Sequence, residues 1–549
     1  MSVQPLAHSA KKNKPPQSYE DHVVGVVSES RENWKKMCCF VSEARHSLLE
    51  STLIRAAYLH DLGKLDEKNQ AVLLNPSESR LPIPHRDAGV KHLLDENDRN
   101  AAIFVFAHHA PGLPNIMSEK IKAYPFRSNV ENAKERTDKF LSEYLKKHTE
   151  VLSDSLNIPP APLEKQNGFS PVEYRMLLSC LVDADYSDTS GRKFTSEEPH
   201  WKERSKKLDE YIESLGKENS EPQDDALIER NRSRSKLYEH CKTYLPETNI
   251  VYCESPVGTG KTTAIMAHLL QVAQKRNLRH IIVVLPYTNI ITEAVKVYRK
   301  ALVLDGEDPV AIVAEHHHQA DYGDEENAYN SDLRSIATTW TAPIIVTTAV
   351  QFFETLASNR PSKLRKIHQL PGSAVFVDES HAALPAKLMP PAWVWIQDLS
   401  KNWGCYFCLA SGTPVKFWDT AEFKDIKAWK AESPEKVEAL LSPELSQSLE
   451  TFERNRIQNN FQNEKPPHFE NKEALANFIL SKTGPRLVVM NTVKSAAALA
   501  LHLKNTNRDV LHLSTSLTPN DREEILTEIY RRLKNKSGDQ NDWTLVATS

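Results

Sequence analysis

Apolar residues recur at spacings of three and four over Leu48–Tyr58 and again over Tyr174–Leu181, and no sustained polar–apolar alternation interrupts the first two hundred or so residues. This pattern predicts amphipathic helices and an all-α region over residues 1–215. Ser170-Pro171-Val172-Glu173 puts a hydroxyl before a helix start, a proline at its first position and a glutamate three residues after the cap. A helix running to about Asp185 follows. Between Gly216 and Arg234 the chain turns charged and poor in apolar residues (KENSEPQDD, then ERNRSRS), which predicts a linker over 216–235. Beyond it, short β-branched runs alternate with amphipathic helices: Ile250–Cys253, Ile281–Leu285, Ile344–Thr348, Ala374–Val377, Tyr406–Ala410 and Leu487–Met490. Such alternation predicts a parallel sheet in α/β units. The charged stretch Glu450–Lys465 sets the last run apart. The expected order is therefore an all-α domain, an α/β lobe over 236–450, and a second, partial α/β lobe over 460–549.

Composition narrows the class without identifying it. At 549 residues the chain is long enough for several cores. Its net charge of -4 provides no electrostatic footprint for nucleic acid, so any case for DNA rests on motifs. Among the seven cysteines Cys405 and Cys408 have CxxC spacing but no second such pair accompanies them, and they sit in an apolar, strand-like run. A reducing, cytoplasmic setting is expected. The N-terminus lacks an apolar signal core, and no stretch approaches the roughly 18 apolar residues of a membrane span.

The first chemical constellation is Ser255-Pro-Val-Gly-Thr-Gly-Lys-Thr-Thr263, which follows a predicted strand and opens a helix with apolar residues at Ile265, Met266, Leu269, Leu270 and Ala273. That context is what a phosphate-binding P-loop needs. Gly258 and Gly260 let the backbone N–H groups of Gly258–Thr263 curl toward a β-phosphate, with Thr259 between the two glycines. Lys261 would reach the β- and γ-phosphates of ATP and Thr262 its Mg2+. Asp378-Glu379-Ser380-His381, directly after the apolar run Ala374–Val377, supplies a carboxylate for the hydrated magnesium (Asp378) and a group to activate water (Glu379).

The second is His60-Asp61 at the end of a helical run, followed by Gly63 and Lys64. Among 21 histidines a chance His-Asp pair is expected, so the dipeptide needs companions. Hydrolysing a phosphodiester calls for an activated water and charge neutralisation at the leaving oxygen, which two ions bridged by a carboxylate supply together.

Together these motifs resemble the CRISPR-associated helicase-nuclease of type I interference systems, an HD domain fused to RecA-like superfamily 2 helicase lobes. Asp378–His381 matches its DExH box, Ser411-Gly412-Thr413 its Ser-Ala-Thr motif, Leu285-Pro286-Tyr287 motif Ia, and Ala342–Leu356 the motif Ib region, whose Thr347, Thr348 and Gln351 sit along the strand-tracking face in that family. Asn491-Thr492 and His512–Thr515 resemble motif IV and its neighbour. The resemblance implies a metal set of His22, His60, Asp61, His85, His108, His109 and Asp185, with Asp61 bridging and Lys64 contacting the scissile phosphate; His8 competes with His22 and Asp183 with Asp185. Imidazole-rich ligation favours manganese, iron, cobalt or nickel over magnesium. The implied function is metal-dependent DNA cleavage joined to ATP-dependent translocation on single-stranded DNA, after recruitment by an RNA-guided surveillance complex. Two rivals stand beside it: an HD-superfamily nucleotide phosphohydrolase, which has no use for Lys261, and a motor with a vestigial HD domain. The tail Trp543–Ser549 resembles the start of motif V, so an incomplete second lobe is expected, with ATP bound better than it is turned over.

Overall fold

The N-terminal apolar periodicity is realised as helices packed on one another: Tyr19–Cys38, Glu43–Leu59, Arg86–Asp95, Arg99–Ala107, Glu131–Val151 and Pro171–Ser190. The computed structural model describes residues 4–10, 15–75, 80–115, 126–127, 131–152, 156–161, 168–190, 197–218, 225–317, 328–412, 415–426, 433–456, 468–506, 508–534 and 542–548. The expected capping box forms: Ser170 N donates to Glu173 Oε2 at 2.7 Å, and Glu173 N donates to Ser170 Oγ at 3.1 Å. The region departs from all-α in one place. Strands β1 (Leu6–His8) and β2 (Gln17–Ser18) pair antiparallel ahead of the first helix. Such short strands leave no readable alternation.

The α/β pattern becomes a seven-stranded sheet. Its strands are β3 (Ile250–Glu254), β4 (His280–Leu285), β5 (Val313–His316), β6 (Ile344–Thr348), β7 (Ser373–Val377), β8 (Tyr406–Ser411) and β9 (Val437–Ala439), in the order β5-β6-β4-β7-β8-β3-β9. Every neighbouring pair is parallel. Successive side chains point to opposite faces, so the strands feed two cores. Ile281 and Val283 pack with Leu269 and Tyr298; Ile282 and Val284 share a core with Leu53, Leu177 and other residues of the N-terminal helices. The N-terminal helices therefore cover one face of the sheet, and residues 1–458 form one compact unit. Arg365 pairs with Asp183 at 2.6 Å and Ser179 Oγ lies 2.9 Å from His368 Nδ1 across this contact.

The stretch read as a linker is largely helical. Helices Trp201–Glu218 and Asp225–Thr243 flank residues 219–224, which lie outside the described residues. Trp201, Leu208, Leu237, Tyr238 and Cys241 are buried in the core of the P-loop helix, Lys261–Arg276. Helix Trp201–Glu218, grouped by sequence with the histidine-bearing helices, thus packs on the other side of the sheet, where Trp201 Nε1 donates to Leu278 O at 2.7 Å and Arg204 pairs with Glu307. A few well-placed apolar residues suffice for this, against a polar average that reads as linker.

Residues 459–549 form a second unit. Its parallel sheet, ordered β10-β12-β11, comprises β10 (Arg486–Met490), β11 (Val510–Leu513) and β12 (Thr544–Thr548). Ala476, Leu499, Leu503 and Val546 centre its small core, and Leu487 and Val489 on β10 are exposed. Among the described residues no helix is long and apolar enough to cross a membrane.

Candidate metal centre and nucleotide site

Two helix ends create the histidine cluster. His60 follows Glu43–Leu59 and donates from Nδ1 to Ala57 O at 2.7 Å; His108 follows Arg99–Ala107 and donates in the same way to Val105 O at 2.6 Å. Each bond satisfies an otherwise open carbonyl and leaves Nε2 as the ligating nitrogen. The donors gather into two triads, His22/His60/Asp61 and His85/His108/His109, each with ligand atoms within 4.8 Å of one another. Asp61 lies between them. Its Oδ2 is 3.0 Å from His22 Nε2 and 3.3 Å from His60 Nε2, while Oδ1 is 3.5 Å from His85 Nε2. Asp185 Oδ1 sits 3.5 Å from His22 Nε2. Lys64 turns inward and pairs with Asp61 Oδ2 at 2.5 Å.

Burial governs the electrostatics here. It drives His85 down to about 3 and His108 well below the ordinary imidazole range, and it lowers His109, so these rings are neutral and able to ligate. Burial also opposes ionisation of Asp61, but Lys64 and His60 outweigh it and hold the carboxyl well below its usual range. For His22, burial is overcome by hydrogen bonds to Asp188 and Asp61, raising its pKa to about 9. Asp61 Oδ1, His85 Nε2 and His108 Nε2 are buried without a hydrogen-bond partner. Orphaned polar atoms of this kind are costly. Imidazole nitrogens and a central carboxylate aimed at the same space are a donor set that fits divalent transition-metal ions.

Of the sequence alternatives, His22 and Asp185 face the cluster. His8 stacks edge-on against His22 with ring centroids 4.8 Å apart and reaches Thr189, and Asp183 is turned toward Arg365. The sequence reading missed Asp188, which binds His22 Nδ1 at 2.6 Å; its proximity to Asp185 on one helix face was the available signal.

The nucleotide constellation lies at the C-terminal ends of three adjacent strands. The P-loop follows β3 and the Asp378-Glu379 pair follows β7, with Ser411 at the end of β8 between them. Gly258 (φ +88°) and Gly260 (φ +81°) take left-handed conformations that carry the loop into the helix starting at Lys261. Ser255 Oγ and Thr259 Oγ1, 2.7 Å apart, brace the loop from within, and Thr263 Oγ1 donates to Gly260 O at 3.0 Å. Thr262 lies in the first turn of that helix. Lys261 Nζ rests 3.4 Å from Asp378 Oδ1 and 3.7 Å from Glu379 Oε1. Glu379 has φ +46°, a strained value for a non-glycine residue, and Ser411 Oγ donates to its Oε2 at 3.2 Å while lying 2.9 Å from His381 Nδ1. Arg234, unassigned from sequence, donates from Nε to Gly258 O at 3.1 Å and lines a cavity of about 810 Å3 beside Gly260 and Thr263.

Elsewhere the structure differs from the sequence reading. Thr347 is fully buried and donates to His316 O at 2.7 Å, and Thr348 Oγ1 accepts from Gln351 N to cap the next helix, so neither hydroxyl lines an open face. Thr413 lies outside the described residues.

Residues 238–414 match the family model of DEAD/DEAH box helicases. The whole chain superposes on crystal structures of T. fusca Cas3. For the AMPPNP form the TM-score is 0.60 at 16% identity, covering 99% of this chain and 69% of that one. The fold is Cas3-like. The ATP form gives the same values, and a further T. fusca Cas3 structure gives 0.58 at 16% identity, covering 99% of this chain and 70% of the other. No curated protein matches the sequence. At such low identity the Cas3 likeness speaks for the fold, a seven-stranded parallel sheet of RecA type bearing helicase motifs.

Proposed function

We propose that the chain is a metal-dependent DNA nuclease coupled to an ATP-driven single-stranded DNA translocase of Cas3 type, acting with an RNA-guided surveillance complex in CRISPR interference. The observation that carries this reading is Asp61, fully buried with His22 and His60 and 3.5 Å from the His85/His108/His109 triad, in the same compact unit as a P-loop and DExH box. His22, His60 and Asp61 would hold one ion, with Asp185 beside them, and His85, His108 and His109 the other. Two divalent ions there would activate water and neutralise charge on a scissile phosphate. Lys64, paired with Asp61 Oδ2, keeps it ionised and would contact the scissile phosphate. In the other site Lys261 would neutralise the triphosphate of a bound ATP, Asp378 would hold hydrated magnesium and Glu379, which accepts from Ser411 Oγ at the end of β8, would activate water. A nucleotide phosphohydrolase would leave this second constellation unused.

The test is a reciprocal pair of variants assayed on a single-stranded oligonucleotide with manganese. Asp61→Ala should abolish cleavage and keep ATP affinity, whereas Lys261→Ala should weaken ATP binding at least about tenfold and keep ATP-independent nicking. Undiminished cleavage by Asp61→Ala would overturn the nuclease assignment.

A further inference from the structure

We infer that Asp188 is the positioning residue of the metal centre: with Gln17 behind it and Gly25 opposite, it fixes His22 so that Nε2 faces the ions. This rests on reading the histidine cluster as a metal centre.

The argument starts from two helices. His22 and Gly25 lie three residues apart on Tyr19–Cys38, and Asp185 and Asp188 three apart on Pro171–Ser190, so each pair shares a face. The faces meet. Asp188 Oδ2 lies 2.6 Å from His22 Nδ1, and Asp185 Oδ1 lies 3.5 Å from His22 Nε2, so one helix addresses both nitrogens of one ring. Gln17 Nε2 donates to Asp188 Oδ2 at 2.7 Å, which leaves the carboxylate little freedom to turn away. Contact this close needs a residue without a side chain on the first helix. A Cβ at Gly25 would stand 2.1 Å from Asp188 Oδ1 and 2.9 Å from its Cγ. Gly25 is a helix-interior glycine, ordinarily unfavourable by about 1 kcal/mol against alanine; here it makes room for the carboxylate.

His60 and His108 are oriented by carbonyls of their own helices, three residues back. His22 sits near the start of its helix and has no such carbonyl on Nδ1. Its orientation depends on a carboxylate brought from 166 residues away. A carboxylate on the outer nitrogen selects the tautomer that donates from Nδ1 and strengthens Nε2 as a ligand, and such partners are typically worth about tenfold to a hundredfold in metal affinity. The inference separates two neighbouring aspartates by role: Asp185 faces the nitrogen that binds, Asp188 the nitrogen that does not.

The experiment uses the full chain loaded with cobalt(II), read by metal content after gel filtration, the visible d–d spectrum, thermal midpoint and oligonucleotide cleavage. Asp188→Asn should keep the thermal midpoint of the ion-free protein, lower cobalt affinity at one of two sites about tenfold to a hundredfold, and change the spectrum. Gly25→Ala should reproduce that loss. In an Asp188→Ala background, Gly25→Ala should add no further loss, because the group it displaces is gone. Wild-type cobalt affinity and spectrum in Asp188→Asn would overturn the positioning role, as would full additivity of the two substitutions. A wild-type chain that binds no cobalt would overturn the metal-centre reading itself, and this inference with it.

Discussion

In the histidine cluster, Asp61, His60 and His108 keep at most 1% of their surface exposed, and three of the cluster's polar atoms have no hydrogen-bond partner. At the strand ends, Lys261 and Asp378 keep 11% and 18% of their side-chain surface, and the lysine rests against the carboxylates that would later share its nucleotide. The first arrangement is costly while ion-free, since buried donors and acceptors lack partners, and it is relieved by a resident ligand. The second is satisfied when empty. The two sites therefore differ in what the empty state costs.

Each site uses glycines, and substituting one at each in turn sharpens the contrast. A Cβ at Gly63 would stand 2.4 Å from the backbone oxygen of His85, against which Gly63 N donates at 2.8 Å. Backbone cannot yield as a side-chain tip can, so Gly63→Ala should cost about 1–3 kcal/mol or more. Calorimetry should show a lower thermal midpoint, and metal analysis a loss at the His85 triad. Gly258→Ala should act more narrowly. An alanine at φ +88° costs about 1–2 kcal/mol, and its Cβ would meet Arg230 Nη2 at 2.8 Å. Titration with a fluorescent ATP analogue should then show roughly fivefold to thirtyfold weaker binding, with metal content unchanged. If Gly258→Ala emptied the metal centre, or Gly63→Ala lowered nucleotide affinity alone, the division between the sites would be wrong.

A further effect is expected on pH. His268, on the P-loop helix, and His280, at the start of β4, are lowered by burial to about 4 and about 3. An unfolded histidine titrates near 6.5, so as pH falls from about 6.5 toward those values the unfolded chain takes up protons that the folded chain refuses. Stability is lost in that window, at up to about 1.4 kcal/mol per pH unit for each ring. The thermal midpoint of the first unit should fall by a few degrees between pH 7 and pH 5, and less in His280→Gln; a flat profile would contradict the burial of these rings.

Contiguous chemistry was legible in the sequence, and chemistry assembled across the fold was not. Gly258–Thr263, Asp378-Glu379 and His60-Asp61 each sit on one turn, so spacing alone exposes them. Six strands were readable from β-branched runs; β5, β9, β11 and β12 were not read as strands, β5 because Val313–His316 ends in a charged and an imidazole residue rather than a β-branched run. Thr347 is a threonine on a strand in either reading; only the carbonyl of His316, on the adjacent strand β5, decides that it points inward. Asp188 was missed because its partner is on another helix, and its spacing of three from Asp185 was the one sequence signal. The Trp201–Glu218 helix was grouped with the N-terminal domain because a helix records in its sequence that it has an apolar face, not which surface that face will meet.

The central claim is that Asp61 joins two ion sites, and the direct measurement is the number of metal ions per chain. The purified chain, reconstituted with manganese, desalted and analysed by inductively coupled plasma mass spectrometry, should carry two ions, and Asp61→Ala at most one. A wild-type chain that holds fewer than two ions at saturation, or an Asp61→Ala chain that holds two with undiminished affinity, would contradict it.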